Sequence, residues 1–322
     1  MNRFNKYAWG VLLYNIFVVI WGAFVRASKS GAGCGEHWPD CNGQIIPQAP
    51  TLKTIIEFTH RSTSGLAGIA VIVLLVWAFR KYPQRHAVRT GAVIAFAFIV
   101  LEGLLGALLV KKGLVADNDS LARAVVIAIH LANTLILLAA LALTAWWSSG
   151  PLALGWPLQW KNNARLGTVL VGCLLSVIFL SASGAITALG ATLFPVQSMA
   201  EGLARDLSPR HVLESLIWIH PVAAVLLGLM MTFCVTFIGS LRKGSTIAAL
   251  TKIQITLFVV QLLLGGANLM LHAPIWLQLI HLLVANLVWV NLVLFTASVL
   301  AVREAPGEIV VEESQKLAVV MH

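Results

Sequence analysis

The chain has 322 residues, 59% hydrophobic and 11% charged, with a mean hydropathy of +0.87 and a formal net charge of +9. So few charges cannot wet the surface of a soluble domain, so a large water-soluble fold is excluded. In a soluble protein the positive balance would point to nucleic acid. In a chain this apolar it fits Lys and Arg in loops retained on the cytoplasmic side of a membrane, and no nucleic-acid partner is expected.

In chain order, eight apolar runs are predicted to be transmembrane helices: 8–25, 54–79, 88–110, 122–147, 164–189, 213–240, 250–271 and 275–301. Each can cross the roughly 30 Å hydrocarbon layer at about 1.5 Å per residue. The first run follows Met1–Lys6 and has no small-residue cleavage site behind it, so it reads as an anchor. Between the first two runs lies the polar stretch GCGEHWPDC, with Cys34 and Cys41. Cys173 and Cys234 sit inside apolar runs and read as small hydrophobes. The stretch from Glu304 to His322 reads as a short disordered tail.

With the N terminus in the cytoplasm, that side carries 13 Lys and Arg and the other side 9. The clusters Arg80–Arg89 and Arg242–Lys252 sharpen the bias. Both termini are then cytoplasmic, in a multi-pass protein of the cell membrane, and the Cys34/Cys41 loop faces an oxidising compartment. A disulfide there would close an eight-residue ring and stabilise by about 2.5 kcal/mol on the chain-entropy estimate. A metal pair is the weaker reading, because the spacing is not that of a zinc site.

The two halves of the sequence echo each other. LLGALLV at 104–110 resembles LGGANLM at 264–270, an offset of 160, and WGA at 21–23 echoes SGA at 183–185. Leu-Ala-Asn after His130 has its echo in Leu-Leu-Val-Ala-Asn after His281. Four spans per repeat bring both units in from the same side. The expected fold is therefore an all-α integral membrane protein, its eight transmembrane helices forming two parallel-repeat four-helix bundles. The first unit covers 1–150, with the Cys loop at 26–53; the second covers 151–303; the cytoplasmic tail covers 304–322.

Nine histidines divide into two groups. His37, His86, His211, His272 and His322 fall in loops or at span ends and read as solvated. His60, His130, His220 and His281 lie inside apolar runs, one on each even-numbered span and seven to nine residues past its outer end. Ionisable groups at that depth are expensive and usually functional. Zinc would want a compact cluster. Single imidazoles on facing helices suit a flat haem held by two histidines in a bundle core. The simplest pairing is His60 with His130 and His220 with His281.

The repeat is broken at one position. Glu57 lies one helical turn before His60, and the matching residue before His220 is Ile217. Glu214 is nearer the helix start and is expected to be solvated. A carboxylate at the depth of Glu57 must be partnered, by Arg26 or Arg61, or else handle protons beside one haem. The asymmetry suggests one haem on which chemistry occurs and one that moves electrons.

These residues resemble the haem A synthase family. The resemblance rests on GAFVRASKSGAGCG at 22–35 with the cysteine pair, on EFTHR at 57–61, and on single histidines at 130, 220 and 281. It implies oxidation of a methyl group of haem O to the formyl group of haem A, for terminal oxidase assembly. It implies that Glu57, His60 and His130 form the substrate-haem site, with Glu57 catalytic. His220 and His281 would ligate a resident haem b, and Arg26 and Arg61 would be candidates for propionate contacts. Haem O synthase would supply the substrate, and an electron-transfer partner and surrounding lipid are implied; the resemblance leaves room for a homo-oligomer. Some members of the family carry a second cysteine pair in the matching loop of the second unit, and 190–210 has none. Two other classes compete. A quinol-linked diheme b-type cytochrome explains four histidines but not Glu57 on one side only. A transporter with a histidine relay would want helices interrupted near His60 and His130.

Overall fold

The computed structural model describes residues 2–149, 163–242 and 244–301. The expected tail 304–322 and the junction expected near 150 lie outside the described residues. Among the described residues ten helices follow in order: α1 Arg3–Ala27, α2 Leu52–Lys81, α3 Ala87–Lys111, α4 Leu121–Trp147, α5 Ala164–Leu193, α6 Met199–Leu207, α7 Val212–Leu216, α8 Ile219–Leu241, α9 Ser245–Met270 and α10 Ile275–Ala301. There is no named strand among the described residues. That is what lipid demands of an apolar chain, because a helix satisfies its own backbone polar groups. Three of the long helices start at side-chain caps read easily from sequence: Asn2, Thr51 and Ser120 accept from the backbone N–H groups of Asn5, Thr54 and Arg123.

Eight stretches are long and apolar enough to span, and the protein is a multi-pass membrane protein. Seven of them are single helices; α7 and α8 together make the sixth. Its helix is interrupted: α7 ends at Leu216, Ile217 and Trp218 turn, and α8 begins at Ile219 with Pro221 in its first turn. Ile217 O, a carbonyl at the break, accepts from Thr187 Oγ1 on α5 at 2.9 Å. The interruption sits directly before His220. The corresponding α2 runs unbroken through His60.

Helix α1 packs on α2 and α4, and α3 packs on both α2 and α4, so the first four close a ring with α2 and α4 on its diagonal. Helices α5, α8, α9 and α10 close a second ring in the same order, with α8 and α10 diagonal. The arrangement is consistent with the repeat seen in sequence. The rings meet where α4 and α1 lie against α5 and α10, and Trp289 Nε1 donates to Leu135 O across the seam at 2.6 Å. Leu13, Phe17, Ile69, Leu226, Phe233 and Leu263 point outward, as lipid-facing side chains should.

The apolar core is not evenly spread. Phe4, Leu12, Leu74, Leu138, Leu141, Leu170, Val235, Ile238, Leu292 and Phe295 fill the half of the bundle remote from the Cys loop. Near the loop the fully buried apolar cluster is only Ala124, Leu189 and Leu213. All four intramembrane histidines are half-buried. One half of the molecule is a packed floor, and the histidines stand above it.

Candidate functional site

The shared WGA and SGA triplets have a steric meaning. Gly22 of α1 lies under the His60 ring, where a Cβ would come within 2.9 Å of His60 Cε1 and 3.1 Å of Nε2. Gly184 of α5 does the same for His220, at 2.9 Å from Cε1. Gly265 of α9 lies beside His281, less tightly, at 3.4 Å. The first helix of each unit therefore seats the imidazole of the second, and only glycine leaves room for it.

In the second unit the two rings already face each other. The centroids of His220 and His281 are 6.4 Å apart and their planes cross at 88°. Two imidazole nitrogens each about 2 Å from one iron put the ring centroids roughly 6 Å apart, so the pair fits a haem between them. Each ring's hydrogen bonds suit one tautomer. Ser183 Oγ donates to Leu180 O, so it accepts from His220 Nδ1 at 3.2 Å, leaving His220 Nε2 a bare lone pair. Gln261 Nε2 lies 3.1 Å from His281 Nε2, and an amide N–H there donates to a ring nitrogen that again carries a lone pair. His281 Nδ1 finds no partner among the described residues.

The first unit is arranged differently. His130 Nε2 lies 2.7 Å from Glu102 Oε2, a carboxylate of α3. The other oxygen of Glu102 accepts from Asn133 Nδ2 at 2.7 Å and from Thr134 Oγ1 at 2.8 Å. Residues 130, 133 and 134 share one face of α4, so three donors close on one carboxylate. That satisfies a charge which would otherwise be costly inside a membrane. The His60 ring lies over Gly22, and its Nδ1 finds no partner among the described residues.

Glu57 is 3% exposed and is held between the Cys loop and Arg61. Its Oε2 accepts from Cys34 N at 2.8 Å, and its Oε1 accepts from Arg61 Nε at 3.1 Å and Nη2 at 2.5 Å. Arg61 Nη1 continues to the carbonyls of His37 at 2.6 Å and Asp40 at 2.5 Å. Cys34 and Cys41 are joined by a disulfide. Loop, disulfide and helix start are thus one unit, and the α2 turn carrying His60 is its base. Of the two arginines considered as partners for Glu57, Arg61 takes the role. Arg26 instead reaches over the seam between the rings. Its Nη1 donates to Ala188 O at 2.7 Å and Thr192 Oγ1 at 3.0 Å, and its Nη2 to Gln278 Oε1 at 3.1 Å. At the same end, Lys29 pairs with Asp117 at 2.7 Å and holds that carboxyl below its usual range.

Glu214 is not solvated as its position suggested. It is buried and accepts from Arg210 N at 2.6 Å and His211 N at 3.1 Å, while His211 Nδ1 accepts from Leu213 N, so the two residues cap α7. Among the described residues no three His, Cys, Asp or Glu side chains gather as a metal-ion cluster. The histidines come in pairs across each ring instead.

A family model described as COX15-CtaA, cytochrome oxidase assembly protein, matches residues 5–293. The chain belongs to this family. A Thermus thermophilus protein named Protoheme IX farnesyltransferase is 49% identical over 300 residues, covering 93% of this chain and 49% of that protein. A Geobacillus kaustophilus protein named Heme A synthase is 43% identical over 144 residues, 44% of this chain and 43% of the relative. One of the same name from Halalkalibacterium halodurans is 46% identical over 92 residues, 29% and 31% of the two chains. The chain spans about half the length of the Thermus relative it matches.

Three residues near the histidines of this COX15-CtaA chain escaped the sequence reading: Glu102, Gln261 and Ser183. Glu102 had a signal, since it is the lone acidic residue in the run 88–110. Gln261 and Ser183 had none of their own, because neutral polar residues scattered along a long apolar helix are ordinary.

Proposed function

We propose that this chain oxidises a methyl group of haem O to the formyl group of haem A, as an oxidoreductase acting on a C–H bond by successive hydroxylations. Haem O is the substrate, held in the first unit by His60 and His130. A resident haem b is held in the second unit by His220 and His281. When bound, haem b supplies one-electron redox chemistry. The observation that carries this reading is the asymmetry of the two histidine pairs. The second has crossed rings 6.4 Å apart with neutral neighbours, whereas carboxylates stand beside the first. Relatives named Heme A synthase support it.

Methyl to formyl takes one oxygen atom, from water or dioxygen, and removes four electrons in two two-electron steps through an alcohol; with water as the source the balance is R–CH3 + H2O → R–CHO + 4 H+ + 4 e−, the electrons leaving to an electron-transfer partner. Glu57 Oε2 accepts protons released on that path, and Arg61 keeps the carboxylate oriented. The Cys34–Cys41 loop lies over the site and excludes water from it. Ser183 orients His220, and Gly22 and Gly184 seat the rings. Arg26, at the seam between the units, and Arg61 are the nearest candidates for propionate contacts. The Thermus relative is named for transfer of a farnesyl group to protohaem, which supports a haem O synthase as supplier of the substrate. An electron-transfer partner completes the reading, which leaves room for a homo-oligomer. We place both termini in the cytoplasm and the Cys loop outside the cell membrane, by the Lys and Arg bias.

The test is expression in a host that makes haem O, followed by pigment extraction. Haem A should appear with this chain and fall to background with Glu57→Ala. Haem A yield unchanged by that substitution removes Glu57 from the chemistry. A spectrum with bound haem but no haem A formed would favour the diheme electron-transfer reading.

A further inference from the structure

The histidines on the fourth helix of each unit, His130 and His281, are held by neighbours of opposite hydrogen-bonding character. Gln261 offers an amide N–H to His281 Nε2, so that nitrogen keeps its lone pair. Glu102 offers only acceptor oxygens to His130 Nε2, 2.7 Å away, so that nitrogen must carry the proton. His281 is therefore a ring ready to ligate through Nε2, and His130 is held as the other tautomer. Glu102 is also not free to swing aside, because Asn133 and Thr134 grip its second oxygen. At the repeat offset of 160 its counterpart is Leu262, so the second unit has no carboxylate at that position.

We infer that Glu102 is a positioning residue that competes with the haem iron for His130 Nε2, and so makes the first-unit haem exchangeable while the second-unit haem stays bound. The inference rests on the proposal that His130 ligates the substrate haem. It explains a requirement of that reading: a substrate must leave as product, and a histidine released from iron needs somewhere to go. Glu102 gives it a charge-assisted hydrogen bond, about twice as strong as a neutral one. For a neutral His130 the exchange needs no net proton. The neutral ring holds one proton, on Nε2 when Glu102 has it and on Nδ1 when iron has Nε2. The second unit has a neutral amide to displace and no tautomer to change.

The test loads the purified full chain with haemin and follows its loss to excess apomyoglobin by the Soret band. Wild type should lose haem in a fast and a slow phase, with His130→Ala abolishing the fast one. Glu102→Gln replaces the carboxylate by an amide that can donate to Nε2, as Gln261 does. It should slow the fast phase about tenfold, the step that ~1.4 kcal/mol represents, and raise the six-coordinate low-spin share of that haem. Gln261→Glu is the mirror experiment and should speed the slow phase by a similar factor, which keeps the idea testable if Glu102→Gln fails to fold. If both phases survive His130→Ala, the ligand assignment falls and the inference with it. If the fast phase depends on His130 but Glu102→Gln leaves it unchanged or faster, Glu102 is a structural support only and the inference is wrong.

Discussion

The two four-helix units have the same plan and different interiors. In the second, the residues around the ring pair are a hydroxyl, an amide and glycines: Ser183, Gln261, Gly184 and Gly265. In the first, the glycine seat is kept, but two carboxylates are added, Glu57 and Glu102, each held by several donors. A carboxylate in a membrane costs several kcal/mol unless it is satisfied, so each brings its own supporting cast. Glu57 is supported by the disulfide loop and Arg61, Glu102 by one face of α4. The two rings thus share a plan and differ in the polar residues around their histidines.

The comparison breaks most sharply at the four histidines proposed as haem ligands. His220→Ala or His281→Ala should abolish the resident haem, seen as loss of its Soret band, while His60→Ala keeps it. Loss of the resident haem in His60→Ala would mean that the units are not independent sites. Next is the glycine seat. Gly184→Ala puts a methyl within 2.9 Å of His220 and should displace the ring. Overpacking of this kind costs about 1–3 kcal/mol, so haem occupancy of the second unit should drop on the order of tenfold or more while the first unit is spared. Gly22→Ala should do the reverse.

The loop should answer in stability rather than in haem content. Glu57→Gln keeps an acceptor for Cys34 N but leaves the Arg61 guanidinium without its charge partner. Breaking a buried pair costs about 3–5 kcal/mol at the upper end. A lowered melting temperature that is restored by the double variant Glu57→Gln, Arg61→Met would show the pair is the cause. The smallest effect is Ser183→Ala, which removes one neutral hydrogen bond worth about 0.5–1.5 kcal/mol. It should shift the ligand-field spectrum of the second haem slightly and leave its content intact; complete loss of haem would mean Ser183 does more than orient the ring.

Much of this was legible in the chain. The eight spans were, because lipid requires long apolar runs: the run 88–110 became α3 at 87–111, and 54–79 became α2 at 52–81. The four intramembrane histidines were, because ionisable groups stand out in apolar sequence. The partner of Glu57 was narrowed to two arginines, and only packing chose Arg61 over Arg26. The break before His220 was hidden, since Pro221 is tolerated in a first helical turn and the run around it stays apolar. The burial of Glu214 was hidden for a similar reason: a cap depends on local backbone geometry that hydropathy does not report.

Eight apolar spans, two echoing halves, four histidines inside those spans and a carboxylate one turn before His60 are all visible in the linear chain. Periodicity, length and the cost of charge in lipid are properties of a segment, so they can be read without neighbours. Folding was needed to show that Gly22 and Gly184 seat imidazoles and that Arg61, not Arg26, partners Glu57. Folding also put Glu102 on His130 and Gln261 on His281. Each of these is a meeting of residues on different helices or in a folded loop, where an ångström of approach or the direction of one N–H decides the chemistry.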